Sequence, residues 1–337
     1  MSIKLISTGS FVSDHVMTND DLSKMVDTTN DWIVERTGIE TRHISKDLTT
    51  EEMAYRACKN ALDRIDIRPE EIGLLICSTI SQDSTVPSSS FTVSGKLGLT
   101  DLVCFDLNAA CTGFIYAVSV AKSMMETMNI KYAVVAGAER LSKFVDWTDR
   151  GSCILFGDAA GAAVLKNTKL CAPCEDVAET ALGPGEYDLE LLEVMLGGTY
   201  DQKKYLSMQS KDSPEDDSPG YINMNGRQIY KFATSIGVKI IDELLEKSGV
   251  DREDVVLLVP HQANSRIIDT LSEKSSIPKS KWFMNLNKYG NTSSASVPVA
   301  LNEAIPNFDL EAHRGKYILS LAFGGGLSYG GILIKIN

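Results

Sequence analysis

Cys111, His261 and Asn291 are the side chains of this 337-residue chain whose types and settings could do nucleophilic chemistry together. Cys111 closes Asn108-Ala109-Ala110-Cys111, just past the apolar stretch Leu102-Val103-Cys104-Phe105-Asp106-Leu107. It opens segment 111–128, which is apolar on nearly all sides and predicts a buried helix. A thiol at such a helix N-terminus meets unpaired N–H groups and the positive end of the dipole, both of which favour thiolate. Most cysteines are simply small core residues. The strand-to-helix turn, beside Gly113, sets Cys111 apart.

His261 follows Leu257-Leu258-Val259-Pro260, at the carboxyl end of a predicted buried strand, where α/β folds gather their ligands. His15 and His43 lie in polar surroundings, and His313 sits in the turn Glu311-Ala312-His313-Arg314-Gly315. Asn291 stands in a loop of small polar residues before a helix expected near Val297, where it either caps that helix or faces a ligand. Its sequon, Asn291-Thr292-Ser293, has meaning only in a secreted chain. Phe323-Gly324-Gly325-Gly326 follows a strand but leads into another strand, so no helix N-terminus is available for a phosphate. A glycine turn offering backbone N–H groups to an oxyanion suits it better. Cys171-Ala172-Pro173-Cys174 has redox or zinc half-site spacing, but with no second Cys or His pair nearby it reads as structural, and no metal site is expected.

The elements that position these residues come as a duplication. Residues 62–77, LDRIDIRPEEIGLLIC, run parallel to residues 245–260, LEKSGVDREDVVLLVP, at an offset of 183. The same offset sets Asn108-Ala109-Ala110-Cys111 against Asn291-Thr292-Ser293-Ser294. In each copy a helix, at 51–64 and at 228–248, leads through a polar turn into a continuously apolar strand, as expected of a strand covered on both faces. Another apolar strand closes each half, at 132–137 and 317–322. Strands alternating with helices in two related halves indicate an α/β fold with mixed sheets and helical layers. The expected division is an N-terminal half over 1–170 with the nucleophile, a connection and excursion over 171–220, and a C-terminal half over 221–337 with His261, Asn291 and the glycine turn.

Composition limits the function. The chain carries 33 Lys and Arg against 45 Asp and Glu, a formal net charge of −12, which argues against nucleic acid as partner. Twelve of the acidic and only three of the basic side chains fall within 171–220, whereas 261–300 holds five basic and two acidic ones. With 43% hydrophobic and 23% charged residues the proportions are globular. No apolar run approaches a membrane span, the start lacks the apolar stretch of a secretory signal, and the seven cysteines fit reduced, mostly buried thiols. The expected setting is the cytoplasm.

Six motifs in order make the sequence resemble, essentially end to end, the thiolase-like condensing enzymes, and among them the β-ketoacyl-acyl-carrier-protein synthase III family. They are Thr28-Thr29-Asn30-Asp31-Trp32-Ile33 with Arg36-Thr37-Gly38-Ile39, Asn108 to Phe114, Leu155-Phe156-Gly157-Asp158-Ala159-Ala160-Gly161-Ala162, Pro260-His261-Gln262-Ala263-Asn264, Gly290-Asn291-Thr292-Ser293 and Phe323-Gly324-Gly325-Gly326. The resemblance implies a five-layered α-β-α-β-α fold with two mixed sheets. It implies a Cys111-His261-Asn291 triad, an oxyanion hole from the N–H groups of Cys111 and Gly325, and contacts to coenzyme A or its pantetheine arm at Thr28, Trp32, Arg36, Arg150 and Asn264. Val86 and Phe323 would border the acyl pocket, with Val86 reaching that of a partner subunit in a homodimer. Many relatives carry a bulky aromatic where Val86 stands, so a primer larger or more branched than acetyl is expected. The implied reaction loads an acyl group from acyl-CoA onto Cys111 and condenses it with malonyl-acyl carrier protein, releasing CO2; coenzyme A thioester is a substrate, and no cofactor is implied. Arg266 in the basic 261–300 segment is expected to dock the acidic carrier protein. A ketosynthase-like acyltransferase of specialised metabolism is the nearest alternative. A cysteine hydrolase or a non-catalytic scaffold is more remote, since neither predicts both the duplication and the complete triad.

Overall fold

In the first half, local sequence signals delimit the helix that covers the sheet. Thr49 accepts a hydrogen bond from the Glu52 N–H at its start, acidic residues fill its first turn, and Met53, Ala54, Ala57, Cys58 and Ala61 make one buried face. The computed structural model describes residues 2–170, 185–208 and 220–337. The Cys171-Ala172-Pro173-Cys174 motif and the acidic run 212–219 lie outside them. The first half runs β1 (Ile3–Phe11), β2 (Val16–Thr18), α1 (Asn19–Leu22), α2 (Asn30–Thr37), β3 (Thr41–His43), α3 (Thr50–Leu62), β4 (Ile72–Ser78), α4 (Ser89–Lys96), β5 (Val103–Leu107), α5 (Gly113–Thr127), β6 (Tyr132–Arg140), α6 (Arg150–Cys153) and β7 (Asp158–Asn167). The second runs β8 (Leu189–Gly198), β9 (Leu206–Met208), β10 (Ile222–Met224), α7 (Gly226–Ser248), β11 (Val255–Pro260), α8 (Ser265–Ser275), α9 (Leu286–Tyr289), α10 (Ser296–Ala304), β12 (Tyr317–Gly324) and β13 (Ser328–Ile336).

The duplication seen in the sequence is repeated in the strand pairing. In the first half the order is β1-β7-β6-β4-β5, with β4 parallel to both β6 and β5, and β7 antiparallel to β6 and β1. In the second it is β8-β13-β12-β11, with β11 parallel to β12, and β13 antiparallel to β12 and β8. The counterpart of β5 is reduced to a single parallel bridge between Leu258 and Trp282. A short antiparallel contact, Lys4 with Glu190 and Leu5 with Leu189, joins the two mixed sheets edge to edge into nine continuous strands.

Helix α3 covers one outer face and α7 the other, while α5 and α10 touch strands of both halves. That is the expected sequence of five layers. The apolar clusters follow it: one between α3 and the first sheet, one beneath α7, and a third around α5 and α10. Each large side chain buried there contributes roughly 1.5–3 kcal/mol. Gly9 allows β1 to touch the α3 backbone, since a Cβ there would stand 2.3 Å from the Ala61 nitrogen.

One sequence expectation needs correcting. Leu189–Gly198, placed within the 171–220 connection and excursion, is the strand β8, paired with β13 along its length. Leu189 and Leu191 are buried around α5 and α10 and Met195 beneath α7, while Glu190 and Glu193 are half-buried. The glycine and proline residues near 183–185 and 214–220 mark breaks at the two ends of the segment and do not exclude a strand between them.

Candidate active site

Both halves start a central helix from an elbow, reached from β5 in the first half and from α9 in the second. Ala110 and Ser293, which are 183 residues apart, have left-handed backbones at φ 45° and 49°, a strained conformation for residues with side chains. Each begins a turn of 3-10 helix leading into α5 or α10. The first elbow carries Cys111, 7% exposed; the second carries Asn291 and Ser293. Gly113 permits their contact, because a Cβ there would fall 1.8 Å from Ser78 Oγ and 3.4 Å from Ser294 Cβ. The turn after β12 closes over the thiol: a Cβ on Gly324 would lie 2.7 Å from Cys111 Cβ and 3.1 Å from Sγ. Gly325 follows beside Ala110.

His261 extends β11 by donating its backbone N–H to Leu321 O at 2.7 Å, and its ring is buried edge-on to Phe323 with centroids 5.8 Å apart. Burial pushes the imidazole down to about 3, so it is neutral at any ordinary pH. Nδ1 lies 2.6 Å from Ser296 Oγ. With that hydroxyl as donor, the ring hydrogen sits on Nε2, the nitrogen left for a substrate. Asn291 is pinned by its backbone, its N–H donating to Leu155 O at 2.8 Å and its carbonyl accepting from Gly157 at 3.1 Å. Its Oδ1 accepts from Ser293 N at 2.9 Å, so the side chain serves the elbow turn and keeps Nδ2 as a free donor.

The Cys111 thiol does not rest as the thiolate expected from the helix terminus. Burial pushes it up to about 12, against a hydrogen bond from Ser293 that acts the other way, with the nearby Glu139 charge reinforcing the rise. The dipole of α5 is a smaller effect than removal of the thiolate from water. The resting site is therefore a neutral thiol beside a neutral imidazole, and a proton must leave Sγ during reaction.

Two cavities meet at Cys111. One, of about 580 Å³, has Arg36, Arg227 and Arg266 toward its mouth and Cys111, His261 and Asn291 among its lining residues. The other, of about 950 Å³, is bordered by Cys111, Ser293 and apolar side chains including Ile80, Leu141, Phe144, Phe156 and Ile222. Arg36, which lines the first cavity, and Arg150 place their guanidinium carbons 4.8 and 4.7 Å from the Trp32 ring centroid, making a cation–aromatic cluster. Asn264 caps α8 through Oδ1 and donates from Nδ2 to Arg36 O at 3.0 Å. Arg266 donates to Glu35 O at 3.1 Å and lies 3.7 Å from the Glu35 carboxylate.

Three expected site residues lie elsewhere than anticipated. Phe323 lines the entrance cavity next to His261 rather than the inner one, because the end of β12 turns its ring toward the α7 layer. Thr28 borders neither cavity, and its hydroxyl is buried without a hydrogen-bond partner. Val86 is 86% exposed and borders neither cavity. Conversely, the sequence reading passed over Arg42, Glu139, Ser293 and Ser296. Arg42 is wholly buried, donates to Ile154 O at 2.7 Å and Asn19 Oδ1 at 2.8 Å, and so braces the strand segment that holds Asn291. Nothing local marks Arg42, but the 183-residue offset that pairs Ala110 with Ser293 was a usable signal for Ser293. Among the described residues no group of three His, Cys, Asp or Glu is placed to hold a metal, and no helix is long and apolar enough to cross a membrane.

The chain is similar to known proteins along essentially its whole length. Residues 105–183 match the family model described as 3-oxoacyl-[acyl-carrier-protein (ACP)] synthase III, and residues 245–336 match its C-terminal counterpart. The chain is 42% identical to the β-ketoacyl-[acyl-carrier-protein] synthase III of Aquifex aeolicus, covering 99% of this chain and 100% of the relative. It is 39% identical to the enzyme of that name from Clostridium acetobutylicum, with 99% and 98% covered. The crystal structure of 3-oxoacyl-[acyl-carrier-protein] synthase III from Aquifex aeolicus is similar at a TM-score of 0.86, with 41% identity and 99% of both chains covered.

Proposed function

Because the chain belongs to the β-ketoacyl-[acyl-carrier-protein] synthase III family of thiolase-like condensing enzymes and shares its acyltransferase function, we propose that Cys111 is the acyl-carrying nucleophile and His261 and Asn291 are the donors that drive the condensation. The convergence of these three on one cavity, with a second cavity beyond the thiol, supports this reading most. Acyl-CoA enters with its nucleotide at Trp32, Arg36 and Arg150 and its pantetheine arm past Asn264. Cys111 attacks the thioester carbonyl, whose oxyanion is held by the N–H groups of Cys111 and Gly325. Coenzyme A departs and the acyl chain lies in the inner cavity. Malonyl-acyl carrier protein then occupies the entrance. Nε2–H of His261 and Nδ2–H of Asn291 hydrogen-bond its thioester oxygen, so the enolate formed as CO2 leaves is stabilised and attacks the acyl-cysteine. A neutral His261 is the form this step requires, and its depressed pKa keeps it so. Incubation with malonyl-acyl carrier protein and mixed acyl-CoAs, followed by mass spectrometry, tests the proposal: 3-oxoacyl-acyl carrier protein supports it, and hydrolysis alone refutes it.

A cavity of about 950 Å³ is large enough for a drug-sized ligand and far exceeds an acetyl group. The primer is accordingly longer or more branched than acetyl, and a strict acetyl preference in that panel would refute this. A homodimer fits the open edge of β5, whose five residues are all half-buried, beside exposed Phe91 and Met128. Val86 would then reach the partner's inner cavity, and Val86→Phe should shift preference toward shorter primers; light scattering at a single 36.8 kDa chain would remove the basis for this.

At the rim, Arg266 belongs to the carrier-protein surface. Arg266→Glu should raise the KM for malonyl-acyl carrier protein about 10-fold at low salt, with the wild-type advantage shrinking as salt is added. An unchanged KM would refute this role.

A further inference from the structure

Glu139, near the end of β6 (Tyr132–Arg140), is wholly buried behind the two elbows. Among the described residues no cation forms an ion pair with it. Neutral donors surround its carboxylate instead. Ser81 Oγ at 2.6 Å, Ile80 N at 3.2 Å and Thr79 Oγ1 at 3.4 Å donate to Oε2. Ser294 Oγ at 2.8 Å and Ser293 Oγ at 3.3 Å donate to Oε1. The titratable groups that feel its charge are Cys111 and Cys77, the latter buried in β4 and held far up by burial. A lone acid in such a place is costly to keep ionised, and burial pushes it up to about 7 against the pull of the Ser81, Ser294, Ile80 and Ser293 donors, which favour the carboxylate.

Ser293 links this carboxylate to the nucleophile. Its hydroxyl donates to Oε1, and it stands with Cys111 on the two packed elbows and on the wall of the inner cavity. Its left-handed backbone holds it at the elbow between the two groups. His261, by contrast, has Nδ1 engaged by Ser296, and its burial makes it a poor base.

We propose that Glu139 is a positioning residue that takes up the Cys111 proton through the Ser293 hydroxyl during acyl loading. The inference rests on Cys111 being the acyl acceptor. As Sγ forms its bond to the thioester carbonyl carbon, the thiol proton passes to Ser293 Oγ and the Ser293 hydroxyl proton passes to Glu139. Sγ retains the electron pair of the broken S–H bond. When the tetrahedral intermediate collapses, the bond between that carbon and the coenzyme A sulfur breaks, and the same path returns one proton to the departing sulfur. Coenzyme A leaves as a thiol and Glu139 ends as a carboxylate. Charge moves between two buried groups without the site as a whole gaining any, which avoids the cost of ionising a second group out of water.

The test follows loading at Cys111 in the full-length protein against pH, by intact mass with acyl-CoA and in parallel by iodoacetamide alkylation. In the wild type both rates rise with pH through about 7, where Glu139 becomes the carboxylate, and then level. Glu139→Gln keeps the side-chain shape, slows loading about 100-fold and loses that rise, leaving a rate that climbs only at alkaline pH. Ser293→Ala, which removes only the bridging hydroxyl, gives the same profile, and the double variant is no slower than either. It also supplies the readout if Glu139→Gln does not fold. A rise through about 7 that survives in either folded variant overturns the proposal. Wild-type alkylation at Cys111 without acyl transfer from any acyl-CoA overturns the functional reading instead and leaves the relay to be judged by the alkylation profiles.

Discussion

Replacement of Cys111 by serine is expected to slow acyl loading from acyl-CoA by about 1000-fold or more, some 4 kcal/mol of barrier. The substitution exchanges one atom in a site that is already packed, with Gly324 directly against the side chain, so the fold and both cavities remain. What changes is the nucleophile. A serine hydroxyl is harder to deprotonate than even this buried thiol, and less reactive once deprotonated. His261 and Asn291 are untouched, so the variant should still bind the malonyl thioester and release CO2 slowly without making a carbon–carbon bond. Stopped-flow measurement of coenzyme A release checks the first expectation, and labelled CO2 release the second. Loading at more than a tenth of the wild-type rate would exclude Cys111 as acceptor.

The second large effect belongs to Asn291→Asp. The backbone bonds to Leu155 and Gly157 persist, and Oδ1 still accepts from Ser293 N. Only the Nδ2 donor is lost, replaced by an oxygen that repels the developing enolate. Removal of one such donor typically costs about 100- to 1000-fold, and condensation should fall by that much. Acyl loading depends on the Cys111 and Gly325 N–H groups and should stay within about 10-fold. Burial raises the pKa of the new carboxyl above the usual aspartate range. As pH falls the group becomes neutral and regains an O–H donor, so the variant should recover part of its condensing rate on the acid side, where the wild type gains nothing. Equal losses in both half-reactions, measured separately, would refute the division of labour.

Those expectations depend on features of unequal legibility in the amino-acid order. The 183-residue repeat located both apolar strands, both elbows and the site between them, because a duplicated fold repeats its turn chemistry as well as its core. Cys111 and His261 each follow a strand end, where local pattern is most informative, and Asn291 stands at the repeat offset from Asn108. What the sequence concealed was built by contacts between distant segments. Glu139 sits at the end of an apolar strand, and only the fold brings Ser81, Ser293 and Ser294 to it. Arg42 lies in a short polar strand that gives no hint of complete burial. Strand β8 lay between glycine- and proline-rich stretches that read as connection, and Phe323 could be assigned to a cavity only after the direction of the β12 terminus was known.

Everything in this mechanism passes through an acyl-cysteine at one position. Intact-protein mass spectrometry after brief incubation with an acyl-CoA, followed by peptide mapping, measures it directly. A single acyl group on Cys111, discharged as 3-oxoacyl-acyl carrier protein when malonyl-acyl carrier protein is added, is the predicted result. An acyl group on another residue, or product formed with Cys111 never acylated, would contradict it.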